Sequence, residues 1–350
     1  MDEEKLGNFM NRALNEAAAT YHAALVVVGD KLGLYKTLAK HPQGLTSTEL
    51  AKETDTAERN VREWLASQTV GEYVIHDPET DRYSMSDEAA FALADPNGPD
   101  LAGLFYVASS VHRSEEKVTE AFKTGKGVGW GEHDPMMFCG VERFFRPGYA
   151  ANLVQAWIPA LEGVEEKLLR GATVADVGCG HGITTIIMGQ AFPKSSFIGF
   201  DFHAPSVDRA NRLAAEAGLE GRVKFEVASA KDFPGSGYDL VACFDCLHDM
   251  GDPQGTSSHV LSTMDSDGSW LIVEPFANDT LEENLNTVGR LYYSASTMIC
   301  TPASLSQEVG LALGAQAGEK RIREVVKGGG FSQFRRAAET PFNLIYEAKP

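Results

Sequence analysis

The run Val174-Ala-Asp-Val-Gly-Cys-Gly-His-Gly182 constrains this chain more than any other stretch. It reads as a buried strand that breaks into a glycine-rich turn, and the turn opens a helix at Ile183-Thr-Thr-Ile-Ile-Met-Gly189. Glycines at 178, 180 and 182 let the backbone turn tightly and let a ligand lie against bare main chain. The N–H groups at the helix start favour a carboxylate or a phosphate. A dinucleotide fingerprint, G-x-G-x-x-G, would place its third glycine at position 183, where this chain has Ile183, so that pattern fails.

Further strands follow in order. Ser196-Phe-Ile-Gly-Phe-Asp201 ends in an acid nineteen residues after Gly182, where a carboxylate can accept both hydroxyls of a ribose. Val223-Lys-Phe-Glu-Val-Ala228 runs into Ser229-Ala-Lys231, and Tyr238-Asp-Leu-Val-Ala-Cys-Phe244 runs into Asp245-Cys-Leu-His248. Gly268-Ser-Trp-Leu-Ile-Val-Glu274 is the fifth, and residues 330–348 read as two strands joined by a short turn. A parallel sheet closed by an antiparallel strand is physically ordinary, and it separates this pattern from the dinucleotide-binding fold.

At 350 residues the chain should make about two domains. The spacing predicts one domain over 1–110, a helical linker and pocket segment over 111–165, and a nucleotide-type domain over 166–350. Residues 8–40 read as two helices punctuated by Gly29 and Gly33. A capped helix follows at Leu45, another over Thr56–Gln68, then a hairpin from Tyr73 to Met85 around a Pro/Asp turn. Helix, helix and hairpin make a winged helix-turn-helix. Such a unit can read DNA, but residues 1–100 hold nine Lys/Arg against eighteen Asp/Glu. An acidic domain is repelled by a polyanion, so dimerisation and substrate capping are the expected roles. The Ala/Leu/Val faces of the N-terminal helices predict a two-fold homodimer.

The whole chain has 31 basic and 49 acidic residues, a net charge of −18. That balance disfavours nucleic acid and anionic membranes as partners. No apolar run approaches a membrane span or a signal core, so a cytoplasmic protein is expected. The cysteines at 139, 179, 243, 246 and 300 do not suggest a disulfide framework. Cys243-Phe-Asp-Cys246 has metal-type spacing, but no second C-x-x-C completes a four-ligand set, so no metal is expected. The segment Gly125–Gly131 is glycine-rich, and the residues from Trp130 onward are studded with aromatics. That pattern suits a mobile pocket wall lined by Trp130, His133, Phe145, Arg146 and Tyr149, with Tyr292 and Tyr293 beside it.

An acid two places before G-x-G-x-G, then acids or turns at successive strand ends, resembles the class I S-adenosylmethionine (SAM) methyltransferases. The whole chain is similar to the two-domain small-molecule O-methyltransferases of plants and bacteria, which pair a winged-helix dimerisation domain with a SAM domain. Within that group it resembles a bacterial branch with the phrases Phe244-Asp-Cys-Leu-His-Asp-Met-Gly-Asp-Pro253 and Glu274-Pro-Phe-Ala277. The resemblance implies a Rossmann-like α/β domain with a mixed seven-stranded sheet, its last strand antiparallel, behind a mainly α winged-helix domain. It implies SAM as co-substrate. Asp176, Gly178, Cys179, Gly180 and Gly182 would hold its methionine end, and Asp201 and Phe202 its ribose. Ala230 and Lys231 would flank the adenine, and Phe244 and Asp245 would lie under the methionine. It makes His248 the base that takes a proton from the acceptor, with Glu274 orienting it.

Several functions stay open at this point. The leading one is methyl transfer to a small sulfur or oxygen nucleophile, and the compact pocket leans towards a thiol, sulfide or methylthio acid. An O-methyltransferase of a phenol or secondary metabolite is the alternative. A SAM- or metabolite-responsive winged-helix regulator is another, and a catalytically dead SAM-binding subunit a third.

Overall fold

The computed structural model describes all 350 residues. They fall into two compact units that interleave along the chain. The first is Met1–Arg113 with Asp134–Pro147, and the second is Ser114–His133 with Gly148–Pro350. Residues 111–165 are thus shared between the units. No helix is long and apolar enough to cross a membrane.

The first unit opens with α1 (Glu3–Lys31), capped by Asp2, whose carboxylate accepts the N–H groups of Glu4 and Lys5. Gly29 does not interrupt this helix. A Cβ there would meet the Trp64 ring at 2.4 Å, so the glycine is a point of close packing. Gly33, at φ +71°, ends the run and starts α2 (Leu34–Ala39). Next come α3 (Ser47–Glu53), held by a Thr46/Glu49 capping box, and α4 (Glu58–Val70). The hairpin β1 (Ile75–Asp77) and β2 (Arg82–Ser84) is antiparallel and completes a winged-helix order. The apolar faces meet in one core built on Val26, Leu34, Tyr35, Leu50, Trp64 and Leu65. Arg143 forks between Asp30 and Asp100, at 2.6 Å from each, and so ties distant parts of this unit together.

The second unit is a seven-stranded sheet. In chain order its strands are β3 (Thr173–Val177), β4 (Ser196–Asp201), β5 (Val223–Val227), β6 (Tyr238–Phe244), β7 (Met264–Pro275), β8 (Gln333–Glu339) and β9 (Asn343–Lys349). Across the sheet they run β5-β4-β3-β6-β7-β9-β8. The first five are parallel, while β9 lies antiparallel to both β7 and β8. The apolar runs of β3, β6 and β7 are almost wholly buried, as expected of strands covered on both faces. The fifth strand starts earlier than its apolar run suggests: β7 begins at Met264, ahead of Gly268, with a polar, mostly exposed lead-in.

The strand order reverses direction between β3 and β6. In open α/β sheets, ligands bind at such a switch point, beyond the carboxyl ends of the strands. The turn Gly178–Gly182 follows β3, and the turn Asp245–Asp249 follows β6. The fold therefore brings the two most distinctive phrases of the sequence to one place.

Candidate active site

The glycine-rich turn divides its labour. All three glycines sit at positive φ: 76° at Gly178, 52° at Gly180 and 78° at Gly182. A Cβ on Gly178 would meet Cys246 Sγ at 2.7 Å, and one on Gly182 would meet the Phe225 ring at 2.3 Å. Those two glycines are required by packing. Beside Gly180 nothing lies within 4 Å, so that glycine alone offers bare main chain to a ligand. The N–H groups of Gly178 and Cys179 are both taken by Phe200 O, and the Cys179 side chain is buried.

Asp176 is fully buried at the end of β3. Its Oδ2 accepts the hydroxyls of Thr184 and Thr185 at 2.7 and 2.6 Å. Its Oδ1 has no hydrogen-bond partner, although it is buried. Burial pushes this carboxyl up to about 6, against the two threonine hydrogen bonds. A buried, unsatisfied acceptor is costly unless a ligand completes it, and an ammonium group would do so.

Asp201 accepts the Gly180 N–H at 2.9 Å on one oxygen and the His203 N–H at 2.8 Å on the other. Each oxygen keeps a further lone pair for a hydroxyl donor. Burial raises its pKa, and the two backbone donors hold it back. Phe202, next along, is exposed. Ala230 and Lys231 are half-buried, and the lysine head is held by Asp252 at 2.9 Å and Glu308 at 3.0 Å. Lys231 thus offers its main chain and stem rather than its charge.

On the opposite strand end, Phe244 is buried and packs edge-to-face on Tyr149, with ring centroids 5.6 Å apart. Asp245 sits at φ +49°, a conformation that costs most residues about 1–2 kcal/mol but that Asp tolerates. Tyr149 donates to one of its oxygens at 2.7 Å and Asn343 to the other at 2.9 Å. Burial pushes the Asp245 carboxyl up to about 7, with Glu274 and Asp249 adding to the rise and Tyr149 opposing it.

His248 lies on the short turn Leu247–Asp249, with 3 % of its surface exposed. Its Nδ1 is 2.7 Å from Glu274 Oε2, while the other oxygen of Glu274 accepts the Leu247 N–H at 3.1 Å. One buried carboxylate therefore fixes both the ring and the backbone that carries it. Burial alone would disfavour the imidazolium, but Asp249, Glu274 and Cys300 more than reverse that, and its pKa is held well above the usual histidine value.

The expected pocket residues fare differently. His133 is buried, bonded through Nδ1 to Ser114 at 3.0 Å, and its Nε2 has no partner. Burial pushes its pKa down, so it stands neutral. Tyr292 is buried close enough to feel the charges of Asp245 and His248, but its hydroxyl donates to Phe342 O at 3.0 Å. Tyr293 is half-buried and, one step along the helix Thr287–Ala295, faces elsewhere. Trp130 is half-buried in a short turn of the second unit. Phe145 and Arg146 belong to the first unit, where Phe145 packs on Phe144 and Arg146 pairs with Glu142. The glycine segment before Trp130 is pinned rather than loose. Val128 is buried and bonds to Pro302 O at 3.0 Å, and a Cβ on Gly127 would strike that same oxygen at 2.2 Å.

Residues 168–328 match the family model described as "Methyltransferase domain", and residues 20–95 match the one described as "Rv2258c-like winged HTH domain". The chain carries a class I SAM-dependent methyltransferase domain. A curated relative, the probable tocopherol O-methyltransferase (chloroplastic) of Oryza sativa subsp. japonica, is 28% identical over 165 residues, 44% of this chain and 43% of that protein. The chain spans less than half the length of the first curated relatives it matches. Two solved structures share the complete plan. The mitomycin 7-O-methyltransferase superposes with a TM-score of 0.73 over 100% of both chains at 18% identity. Human N-acetylserotonin methyltransferase in complex with SAM gives a TM-score of 0.71 over 97% of both chains at 16% identity. These two likenesses show the fold, a mixed α/β sheet domain behind a winged-helix domain.

The residues of this methyltransferase domain fit SAM as methyl donor. The unsatisfied Asp176 Oδ1, the open flank of Gly180 and the two-sided carboxylate of Asp201 all belong to the carboxyl ends of β3 and β4 and the turn after β3. Sequence reasoning missed Thr184 and Thr185, which brace Asp176, and Asn343, which braces Asp245. The threonines directly follow the glycine turn and were a usable signal. Asn343 comes from a distant strand and carried none.

Proposed function

We propose that this chain transfers a methyl group from SAM to a hydroxyl of a small organic acceptor, with His248 as the base and Glu274 as its orienting carboxylate. The observation that carries the reading is the buried 2.7 Å contact between His248 Nδ1 and Glu274 Oε2. In the neutral ring it favours the proton on Nδ1, which leaves the Nε2 lone pair to accept another. Glu274 then stabilises the imidazolium that forms, as the acid of a triad does.

SAM supplies an electrophilic methyl on a sulfonium that leaves as a neutral thioether. Asp176 and the Gly180 main chain hold the methionine end, and Asp201 accepts the ribose hydroxyls. His248 Nε2 takes the acceptor's proton as its oxygen attacks, and alignment does the rest. His133, with its partnerless buried Nε2, provides a handle for a polar group of the acceptor. The reaction needs no metal.

A hydroxyl acceptor is supported over the thiol or sulfide suggested by the compact pocket, because the relatives and neighbours above are named mostly as O-methyltransferases. A base also matters more for a hydroxyl, since a thiol is already partly ionised near neutrality. The five free cysteines suit a reducing compartment such as the cytoplasm. The test is release of S-adenosylhomocysteine (SAH) by purified protein offered phenols, catechols, thiols, sulfides and amines. Turnover confined to hydroxyl acceptors supports the reading, and turnover confined to thioethers, which have no proton to lose, overturns it.

We read the winged-helix unit as a dimerisation element. Along α1, Leu6, Phe9, Met10, Leu14, Tyr21 and Val28 are exposed, a stripe of apolar side chains on one long helix. The same unit's negative charge opposes duplex binding. Light scattering on a sizing column should give twice the mass of one chain, and a monomer at micromolar concentration would refute the assignment.

A further inference from the structure

We propose that His248 Nε2, Asp249 Oδ1 and Cys300 Sγ form a binding site for a zinc-class divalent cation, and that its occupation withholds the imidazole from proton transfer.

Two irregular turns make this cluster. His248 and Asp249 lie on the tight turn Leu247–Asp249 after β6, and Cys300 ends a π-helical turn, Ser296–Cys300. Such π turns concentrate at functional sites. One donor atom from each residue lies within 4.8 Å of the other two. His248 Nε2 and Asp249 Oδ1 are already 3.2 Å apart. Donors on a tetrahedral zinc sit roughly 3.5 Å from one another, given bonds of about 2.0–2.3 Å. A small side-chain adjustment of Cys300 therefore closes the set.

The surroundings are those of a metal site. A metal-bound histidine almost always donates its other ring N–H to a carboxylate, which fixes its tautomer. Here Glu274 Oε2 accepts from His248 Nδ1 at 2.7 Å. Asp249 Oδ1 is buried and has no hydrogen-bond partner, despite its closeness to the imidazole. Cys300 is buried as well. A carboxylate oxygen, an imidazole nitrogen and a sulfur favour a borderline-soft cation and disfavour magnesium, which prefers an all-oxygen shell. Binding releases the thiol proton, and any proton on Nε2, to the buffer. The fourth position stays open, as in three-ligand zinc sites.

The binding claim is independent of the proposed reaction, whereas the loss of turnover rests on reading His248 as the base. The test uses the full-length protein, stripped with a chelator and titrated with cobalt(II) and then zinc(II). Cobalt should bind with tetrahedral visible bands and a thiolate-to-cobalt charge-transfer band, and zinc should displace it at one equivalent. Cys300→Ser should lose the charge-transfer band and weaken zinc by at least about tenfold, while its melting temperature stays near wild type. Asp249→Asn provides a second, independent loss of affinity. Zinc should also inhibit wild-type SAH formation, reversibly with EDTA, and Cys300→Ser should resist it. Absence of the charge-transfer band, or its persistence in Cys300→Ser, overturns the site. A zinc site that forms without slowing turnover keeps the ligand assignment and overturns the role of His248 as the base.

Discussion

His248 Nδ1 and Glu274 Oε2 are 2.7 Å apart, and neither side chain sees more than a trace of solvent. In such an environment a carboxylate governs both the tautomer and the basicity of the ring. Glu274→Gln keeps the shape and an acceptor for the Leu247 N–H. It removes the charge and offers an amide donor to Nδ1, which moves the proton to Nε2 and blocks the base. We expect kcat to fall by about 10²–10⁴ with little change in SAM affinity.

The pH dependence has a fixed sign. Asp249 and Glu274 favour imidazolium over the cost of burial, so His248 holds its proton to higher pH than an ordinary histidine. A protonated ring cannot act as base. Turnover should therefore rise with pH through a midpoint above the usual histidine range. Glu274→Gln should move that midpoint to lower pH in the residual activity, as read from the kcat–pH profile.

The glycine turn gives a paired prediction. Gly182→Ala places a Cβ into the Phe225 ring at positive φ, and it should cost about 2–5 kcal/mol in urea unfolding, strain plus overpacking. Gly180→Ala meets no protein atom, so it should cost only about 1–2 kcal/mol of strain. Its methyl group intrudes on the ligand's side instead, and SAM affinity by calorimetry should drop by about tenfold, or 1.4 kcal/mol.

These glycines show how much the sequence discloses. The strands were legible because β3, β6 and β7 carry short apolar runs, Val174-Ala175, Leu240–Phe244 and Trp270–Val273, each followed directly by an acid, Asp176, Asp245 and Glu274. The helix–helix–hairpin order was legible from caps such as Thr46 and from the Pro/Asp turn. Three glycines in one phrase look alike on paper, yet only packing distinguishes Gly180 from its neighbours. Gly29 resembles a helix breaker until Trp64 lies against it. Asn343 and Cys300 reach the site from a strand and a turn far along the chain, so no local pattern marks them. The Tyr292-Tyr293 pair reads as one aromatic patch, but consecutive helical residues face apart.

Asp245 should link SAM binding to pH. Its carboxyl is pushed up to about 7 by burial, so near neutrality it is only partly ionised. SAM carries a sulfonium and SAH does not. The resemblance puts Asp245 under the methionine moiety, and a carboxylate there favours SAM increasingly as pH rises through 7. We expect SAM affinity to increase by up to about tenfold, the effect of one pKa unit, between roughly pH 6 and 8, with SAH affinity much flatter. Asp245→Asn tolerates the same backbone conformation and should abolish the difference in calorimetric titrations.

The central claim is that His248 accepts the proton of a hydroxyl acceptor. Its most direct test is the initial rate of SAH formation by His248→Ala on a hydroxyl acceptor, measured beside the Kd for SAM. The account predicts a rate lower by about 10²–10⁴ with SAM binding within about twofold of wild type. A rate within a few-fold of wild type, with SAM bound normally, would contradict it.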